Sequence, residues 1–302
     1  VADTKVYDGS ASSDEIPTVP ALQVGDLLTS AGSQAFINSN VGVTKTITPS
    51  GTVINDGNSG NNYAITYVTS NTGTITQKEL TVVNADFTTK VYDGNATAAI
   101  TNASLSGIVG SDDVVLGSNT TGTFASALVG THSVATSPMT ISGAKAGNYS
   151  LTQPILSGTI TQKELTVVNS AVTTKVYDGN TNALITNSEL SGVLVGDIAN
   201  VTLGNNTTGT FASALVGTHS VATAPMTISG AKAANYSLTQ PTLSGTITQK
   251  ELTVVNAVVT TKTYDGNTIA AITGATLSGV VGSDDVVLGN NTAGTFSSAL
   301  VG

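Results

Sequence analysis

The chain has no cysteine, no tryptophan and no arginine in its 302 residues. Without cysteine there can be no disulfide, no thiolate chemistry and no Cys-based metal site. Secreted eukaryotic modules of this size commonly carry disulfides, so their lack suits a bacterial export product. Without arginine the usual bidentate reader of carboxylates and phosphates is missing. Charge is sparse and acidic, with 19 Asp plus Glu against 10 Lys. That balance argues against nucleic acid, which calls for clustered basic residues, and equally against docking on anionic membranes. The isoelectric point near 4.4 favours solubility through mutual repulsion. No run approaches the ~20 apolar residues of a membrane span, and no signal peptide is present. Aromatic residues make up only 4%, so any core is thin and built mostly from Val, Ala, Leu and Ile. Thr, Ser, Asn and Gly fill most of the rest, a mix that suits pleated strands and tight turns.

What is present is repetition. Tyr-Asp-Gly recurs at Tyr7, Tyr92, Tyr177 and Tyr264, in steps of 85, 85 and 87 residues. Thr121 to Asn169 matches Thr208 to Asn256 at 46 of 49 positions, the exceptions being Ser137/Ala224, Gly147/Ala234 and Ile155/Thr242. A period of this kind sets the architecture as an array of like units. Each unit lies in the size range where one core can fold alone. The units are read as 1–77, 78–162, 163–249 and 250–302. An array of near-copies delivers length or multivalency, whereas an enzyme needs one assembled site.

Aligned on Tyr-Asp-Gly, the units share an order of short apolar runs bounded by Gly, Asn, Asp or Pro. Glu79 to Val83 comes first, then Lys90 to Gly94, Leu-Ser-Gly at Leu105, a Gly-x-Asp step, Gly-Thr-Phe at Phe124, Asn148-Tyr149-Ser150-Leu151, and Ser157 to Thr161. This pattern points to an all-β fold, an immunoglobulin-like sandwich or alternatively a β-grasp-like sheet. Only Phe124 to Val129 could form a helical turn. The first unit diverges most, and its Asp14 to Leu28 section has no close match elsewhere. Each junction, such as Thr74 to Val82, lacks Gly, Pro and Ser and reads as one extended segment, so a stiff line of independently packed modules is expected. The Gln-Lys-Glu-Leu-Thr-Val-Val strand is missing before Val1, and the fourth unit stops at Gly302 without its Asn-Tyr strand. Because the chain opens and closes within units, the missing leader carries no weight. Exposed edges at both ends would invite pairing with another copy.

Lys-Val-Tyr-Asp-Gly, Leu-Ser-Gly-x-Val-Gly-Ser-Asp-Asp, Gly-Thr-Phe, Ser-Gly-Ala-Lys-Ala-Gly-Asn-Tyr-Ser-Leu and Thr-Ile-Thr resemble the YDG-type repeat of bacterial surface proteins. The first unit, with its Pro-containing insert and Asn62 to Tyr67, is closer to the related MBG-type repeat. The resemblance covers essentially the whole chain. It implies an extracellular segment of a large adhesin, filamentous-haemagglutinin-like or part of a biofilm matrix, in which repeats form a stalk between an anchored end and a binding end. Such a role implies neighbouring repeats as the chief partners, with other copies or a host or matrix glycan or protein as further ones, and no nucleic acid or membrane insertion.

The candidate chemistry is thin. Asp8, Asp93, Asp178 and Asp265 are expected to close tight turns, with Gly9, Gly94, Gly179 and Gly266 supplying positive φ. The four tyrosines are expected to pack their rings and to bond a turn or junction carbonyl. The lysine two residues earlier is expected to keep its ammonium in water. Asp112, Asp113, Asp197, Asp284 and Asp285 are the only calcium candidates, and no EF-hand or nonapeptide spacing surrounds them. His132 and His219 have no second His or Cys nearby in sequence. Lys90 and Asn148, with Glu79 or Asp93, are the only repeated set that could form an intramolecular isopeptide bond. Asn148 and Asn235 are read as turn-bonding residues, and Tyr149 and Tyr236 as anchors of the next strand. No catalytic residue, cofactor or metal is assigned, and a non-enzymatic structural segment is expected.

Overall fold

The computed structural model describes all 302 residues, Val1–Gly302, as two compact units, 1–161 and 162–302. The regular structure is almost all strand, in several small sheets arranged in tandem.

The second repeat shows the plan. Six strands form one sheet in the order Asp86–Phe87, Thr97–Thr101, Thr121–Phe124, Gly130–Ala135, Leu156–Thr161 and Lys90–Val91. A second layer places Lys78–Val83 between Ser104–Ser106 and Tyr149–Thr152. Alternation drives the packing: along Thr97–Thr101 only Ala98 and Ile100 are buried, as expected of a half-buried strand. The third repeat repeats both sheets, and its core joins the layers. Ala183, Ile185, Phe211, Val221, Leu243 and Ile247 of the six-stranded sheet pack with Val167, Leu203 and Leu238 of the facing strands. A two-layered sandwich therefore forms, and the β-grasp alternative is set aside.

Helix is confined to 3-10 turns at Ala146–Asn148, Val195–Asn200 and Ala233–Asn235. Phe124 to Val129, the one segment that could have formed a helical turn, does not do so. There Phe124 ends a strand with its ring buried, and the chain bends towards Gly130, whose φ of 138° favours glycine.

The first repeat has a four-stranded sheet ordered Thr4–Val6, Ser70–Thr76, Gly42–Ser50 and Ser33–Phe36. Its insert pairs Leu27–Ser30 with Val53–Asn55. In the fourth repeat, Val258–Val259, Ile269–Thr273 and Ala293–Thr295 form one sheet, and Thr253–Val255 pairs with Thr276–Ser278.

The expectation of independently packed modules needs correction within residues 1–161. One apolar cluster there holds Tyr7, Phe36, Ile47 and Ile75 of the first repeat together with Leu80 and Tyr149 of the second. The cores merge because the bulky rings are placed at the repeat ends, where each alone would be half wet.

Phe211 is 1% exposed at the centre of the third repeat. Phe211→Ala is expected to cost about 3–5 kcal/mol. Guanidinium unfolding followed by circular dichroism should show a low-denaturant transition belonging to that repeat.

Candidate functional site

Two parallel pairings place the recurrent tyrosines. Thr4–Val6 runs parallel to Ser70–Thr76, with Val6 opposite Thr76, and the Tyr7 N–H donates to the Thr76 carbonyl at 2.9 Å. Tyr149–Thr152 runs parallel to Lys78–Val83, with Tyr149 opposite Lys78. Only Gln77 separates Ser70–Thr76 from Lys78–Val83. Tyr7 thus stands at the exit of the first repeat and Tyr149 at the entrance of the second. The rings meet edge to face, 5.3 Å apart at 78°.

Between them lies the Asp112 carboxylate. It accepts from the Tyr7 hydroxyl at 2.7 Å and the Tyr149 hydroxyl at 2.6 Å, while the Val109 N–H donates to the Tyr149 oxygen at 3.0 Å. The expected carbonyl partner of Tyr7 is corrected to this carboxylate of the following repeat. An ionised acceptor binds a phenol more strongly than an amide carbonyl does. The Gln77 amide donates to the Gly147 and Tyr149 carbonyls, at 3.2 and 2.9 Å. The buried Asn148 accepts from the Val41 N–H at 2.9 Å and donates to Asn40, which ties the second repeat to a loop of the first.

The same parts recur in residues 162–302. Tyr236 donates to the buried Asp197 at 2.7 Å, and its oxygen accepts from the Leu194 N–H. Buried Asn235 closes the adjoining 3-10 turn, its N–H donating to the Lys232 carbonyl. Tyr177 bonds Asp284, which raises its hydroxyl pKa. Coverage of the four motif tyrosines differs: Tyr7 is 2% exposed and Tyr264 is 62% exposed. Tyr92 is also buried, and Tyr177 is half-buried.

The turn itself is built around its lysine. Lys5 Nζ meets Asp8 at 2.9 Å, Ser10 Oγ at 2.9 Å and the Ser12 carbonyl at 2.7 Å. Lys90 bonds Asp93, the Asn95 side chain and the carbonyls of Asn95 and Thr97. Lys175 and Lys262 do the same with Asp178 and Asn180, and with Asp265 and Asn267. The ammonium is therefore enclosed by its own turn, not left in water as expected. A flexible point charge with three rotatable donors suits such a ring of acceptors. Hydrogen bonding from Lys175, foremost, holds the Asp178 carboxyl below its usual range, and Lys262 does so for Asp265. Gly9, Gly94, Gly179 and Gly266 all have φ near +80°.

The remaining candidates separate. Lys90 and Asn148 bond different groups, so the isopeptide set is not brought together. The Asp113 carboxylate accepts from the Ala144 N–H, and Asp285 is exposed. Nowhere do three or more His, Cys, Asp or Glu side chains gather so as to hold a metal ion. The His132 and His219 rings bond the carbonyls of Leu128 and Leu215.

Sequence reasoning missed Asp26. Tyr63 donates to it at 2.6 Å and accepts from the Gln23 N–H at 3.0 Å, the arrangement found at Tyr149 and Tyr236. The signal was available, since Val24-Gly25-Asp26 repeats Val195-Gly196-Asp197. At Gln23 to Asp26, though not along its whole length, the Asp14 to Leu28 section therefore has a counterpart in the other repeats.

Both partners at the first junction titrate away from their ordinary values. Hydrogen bonds from Tyr149 and then Tyr7 hold Asp112 below 3.8. Burial, and then the Asp112 bond, pushes the Tyr7 hydroxyl from 10.0 up to about 12. Because the folded pKa of Asp112 is lowered, its stabilisation is present above pH 3.8 and lost as pH falls through the folded value. That of Tyr7 is present below pH 10.0 and lost as pH rises towards about 12. Tyr7→Phe keeps the ring and removes the donor, and is expected to cost about 1.5–3 kcal/mol at neutral pH. Thermal unfolding against pH checks this: Asp112→Asn should flatten the acid limb, and Tyr7→Phe the alkaline limb.

A family model described as the YDG domain matches residues 1–72, 76–155, 161–243 and 248–302. The first of these matches takes in the unit expected to stand closer to the MBG type. Among solved structures, Drosophila N-cadherin EC1-3 is 10% identical and covers 82% of this chain and 98% of its own, with a TM-score of 0.24. Drosophila N-cadherin EC1-4 is 11% identical, covers 89% and 78%, and scores 0.24. A Bacteroides ovatus mixed-linkage glucan utilization locus protein, SGBP-B, crystallised with a mixed-linkage heptasaccharide, is 11% identical, covers 75% and 58%, and scores 0.14. Scores this low carry no argument about fold or ligand. No curated protein matches the sequence.

Proposed function

Because this chain belongs to the YDG domain family, in four consecutive copies, we propose that it is a non-enzymatic spacer segment of a bacterial surface protein. In this reading it works outside the cell, in an adhesin or matrix fibre, and holds a distal binding region away from an anchored end. One observation carries the proposal: the junction of the first two repeats is a single residue, Gln77, locked by Tyr7, Asp112, Tyr149 and Asn148. A flexible tether needs none of these bonds, and a Gly/Ser linker would make none. A spacer needs them, since each junction that bends freely shortens the reach of the whole.

The recurrent polar groups also favour a mechanical role. The motif carboxylates are engaged by a lysine of their own turn, and Asp112, Asp197 and Asp284 by tyrosines. Each serves folding in its own repeat or junction. Stability then accumulates as a sum of repeat and neighbour terms.

Small-angle scattering of the full chain tests the reading. A compact domain of this length would have a radius of gyration of about 19 Å. A spacer should give a distinctly larger value, and inserting Gly-Gly after Gln77 should broaden its distance distribution. A wild-type value near the compact one, unchanged by the insertion, would remove the spacer role.

A further inference from the structure

Oxidation has few places to go in this chain. There is no cysteine and no tryptophan, and the two methionines, Met139 and Met226, are each 3% exposed. Methionine takes up oxygen in a two-electron step, so a one-electron oxidant is left with the tyrosine phenols. Two of these meet at the first repeat junction, where the Tyr7 and Tyr149 ring centres lie 5.3 Å apart. A single carboxylate oxygen, Asp112 Oδ2, accepts both hydroxyls, at 2.7 and 2.6 Å. The hydroxyl ends of the rings therefore converge, and with them the ring carbons ortho to each oxygen.

The surroundings favour coupling of these two rings with each other. Both residues are 2% exposed, so a radical on either is shielded from a second chain. Both are also held in place before any reaction. The Tyr7 N–H donates to the Thr76 carbonyl at 2.9 Å, and the Val109 N–H to the Tyr149 oxygen at 3.0 Å. Reacting groups fixed side by side gain the large effective concentration of an intramolecular step. Asp112 is half-buried, so its carboxylate offers the phenol protons a way out to water as the electrons leave. The 78° between the planes does not oppose a bond, because two directly joined rings stand twisted, and the centres need to close only slightly.

We propose that Tyr7 and Tyr149 form an oxidative cross-linking site, in which a diffusible one-electron oxidant joins them as dityrosine and Asp112 carries off the protons. Each tyrosine gives one electron to the oxidant and its hydroxyl proton to Asp112, which passes it to water before taking the next. The two phenoxyl radicals join through their ortho carbons. The ring hydrogens at those carbons then move to the oxygens and restore both phenols. Net, one carbon–carbon bond forms, two hydrogen atoms leave the chain, and two equivalents of oxidant are reduced. The product ties the first repeat to the second covalently, at the place where hydrogen bonds and packing otherwise hold them. The site rests on the geometry of the junction and not on the spacer role.

Photo-oxidation of the dilute full chain with tris(bipyridyl)ruthenium and persulfate tests the site. The monomer should become lighter by two hydrogen atoms and gain the blue fluorescence of dityrosine. After trypsin, peptides 6–45 and 146–163, which hold Tyr7 and Tyr149 and no other tyrosine, should be found joined. Tyr7→Phe and Tyr149→Phe should each abolish that joined pair. Asp112→Asn leaves both rings and an acceptor but removes the base, and should lower the yield several-fold, with circular dichroism checking that the variant is folded. Unfolding the wild-type chain in urea before oxidation should also lose the link, a comparison that needs no variant to fold. Joined peptides formed equally well in urea, or links found only at other tyrosines or only between chains, would overturn the proposal. So would an undiminished yield from folded Asp112→Asn.

Discussion

The structure depends on one shared carboxylate. Asp112 takes hydrogen bonds from a tyrosine of its own repeat and from one of the repeat before. The buried Tyr7 phenol must find an acceptor, and the one it finds, the half-buried Asp112, belongs to the next repeat. The two tyrosine rings then bring apolar area to the same place, and the thin cores of both repeats become one. With aromatics at 4%, the chain spends its large rings where they close two modules at once. Tyr7 is buried under the following repeat, while Tyr264 is open.

Backbone pairing puts that carboxylate within reach. The exit strand of the first repeat and the entry strand of the second are separated by one residue, and each carries a parallel partner that runs into a tyrosine or begins at one. Parallel neighbours need long connections, which here are nearly the whole length of a repeat. In the first three repeats the strand before Tyr-Asp-Gly is thereby fastened to the last strand of the repeat. The lysine-centred turn after Thr4–Val6 sets the angle at which the tyrosine leaves the sheet, through its bonds to Asp8, Ser10 and Ser12.

Much of this was legible in the sequence, because periodicity and alternation are direct imprints of stacking and of the β pleat. The repeat period, the all-β class and the Asp-Gly turns all follow from spacing and from glycine's access to positive φ. What could not be read was who meets whom across a junction. Asp112 looks like turn punctuation or a weak cation ligand in one dimension, since its tyrosine partners lie 105 and 37 residues away. The lysine looks solvated for another reason: its acceptors, side chains and carbonyls three to seven residues on, surround it only once the turn has folded back. Asp26 was hidden by the proline-rich insert around it, although Val-Gly-Asp marked the place.

The central claim is that the repeat junction couples the stabilities of its neighbours. Native-state hydrogen exchange of the full chain carrying Tyr7→Ala tests it most directly, read at the amides of Leu80 and Leu151 in the second repeat. Coupling through Asp112 requires protection there to fall together with that of the first repeat, although neither residue is mutated. Unchanged protection in the second repeat, beside a weakened first, would show that the modules stand alone and would contradict the account.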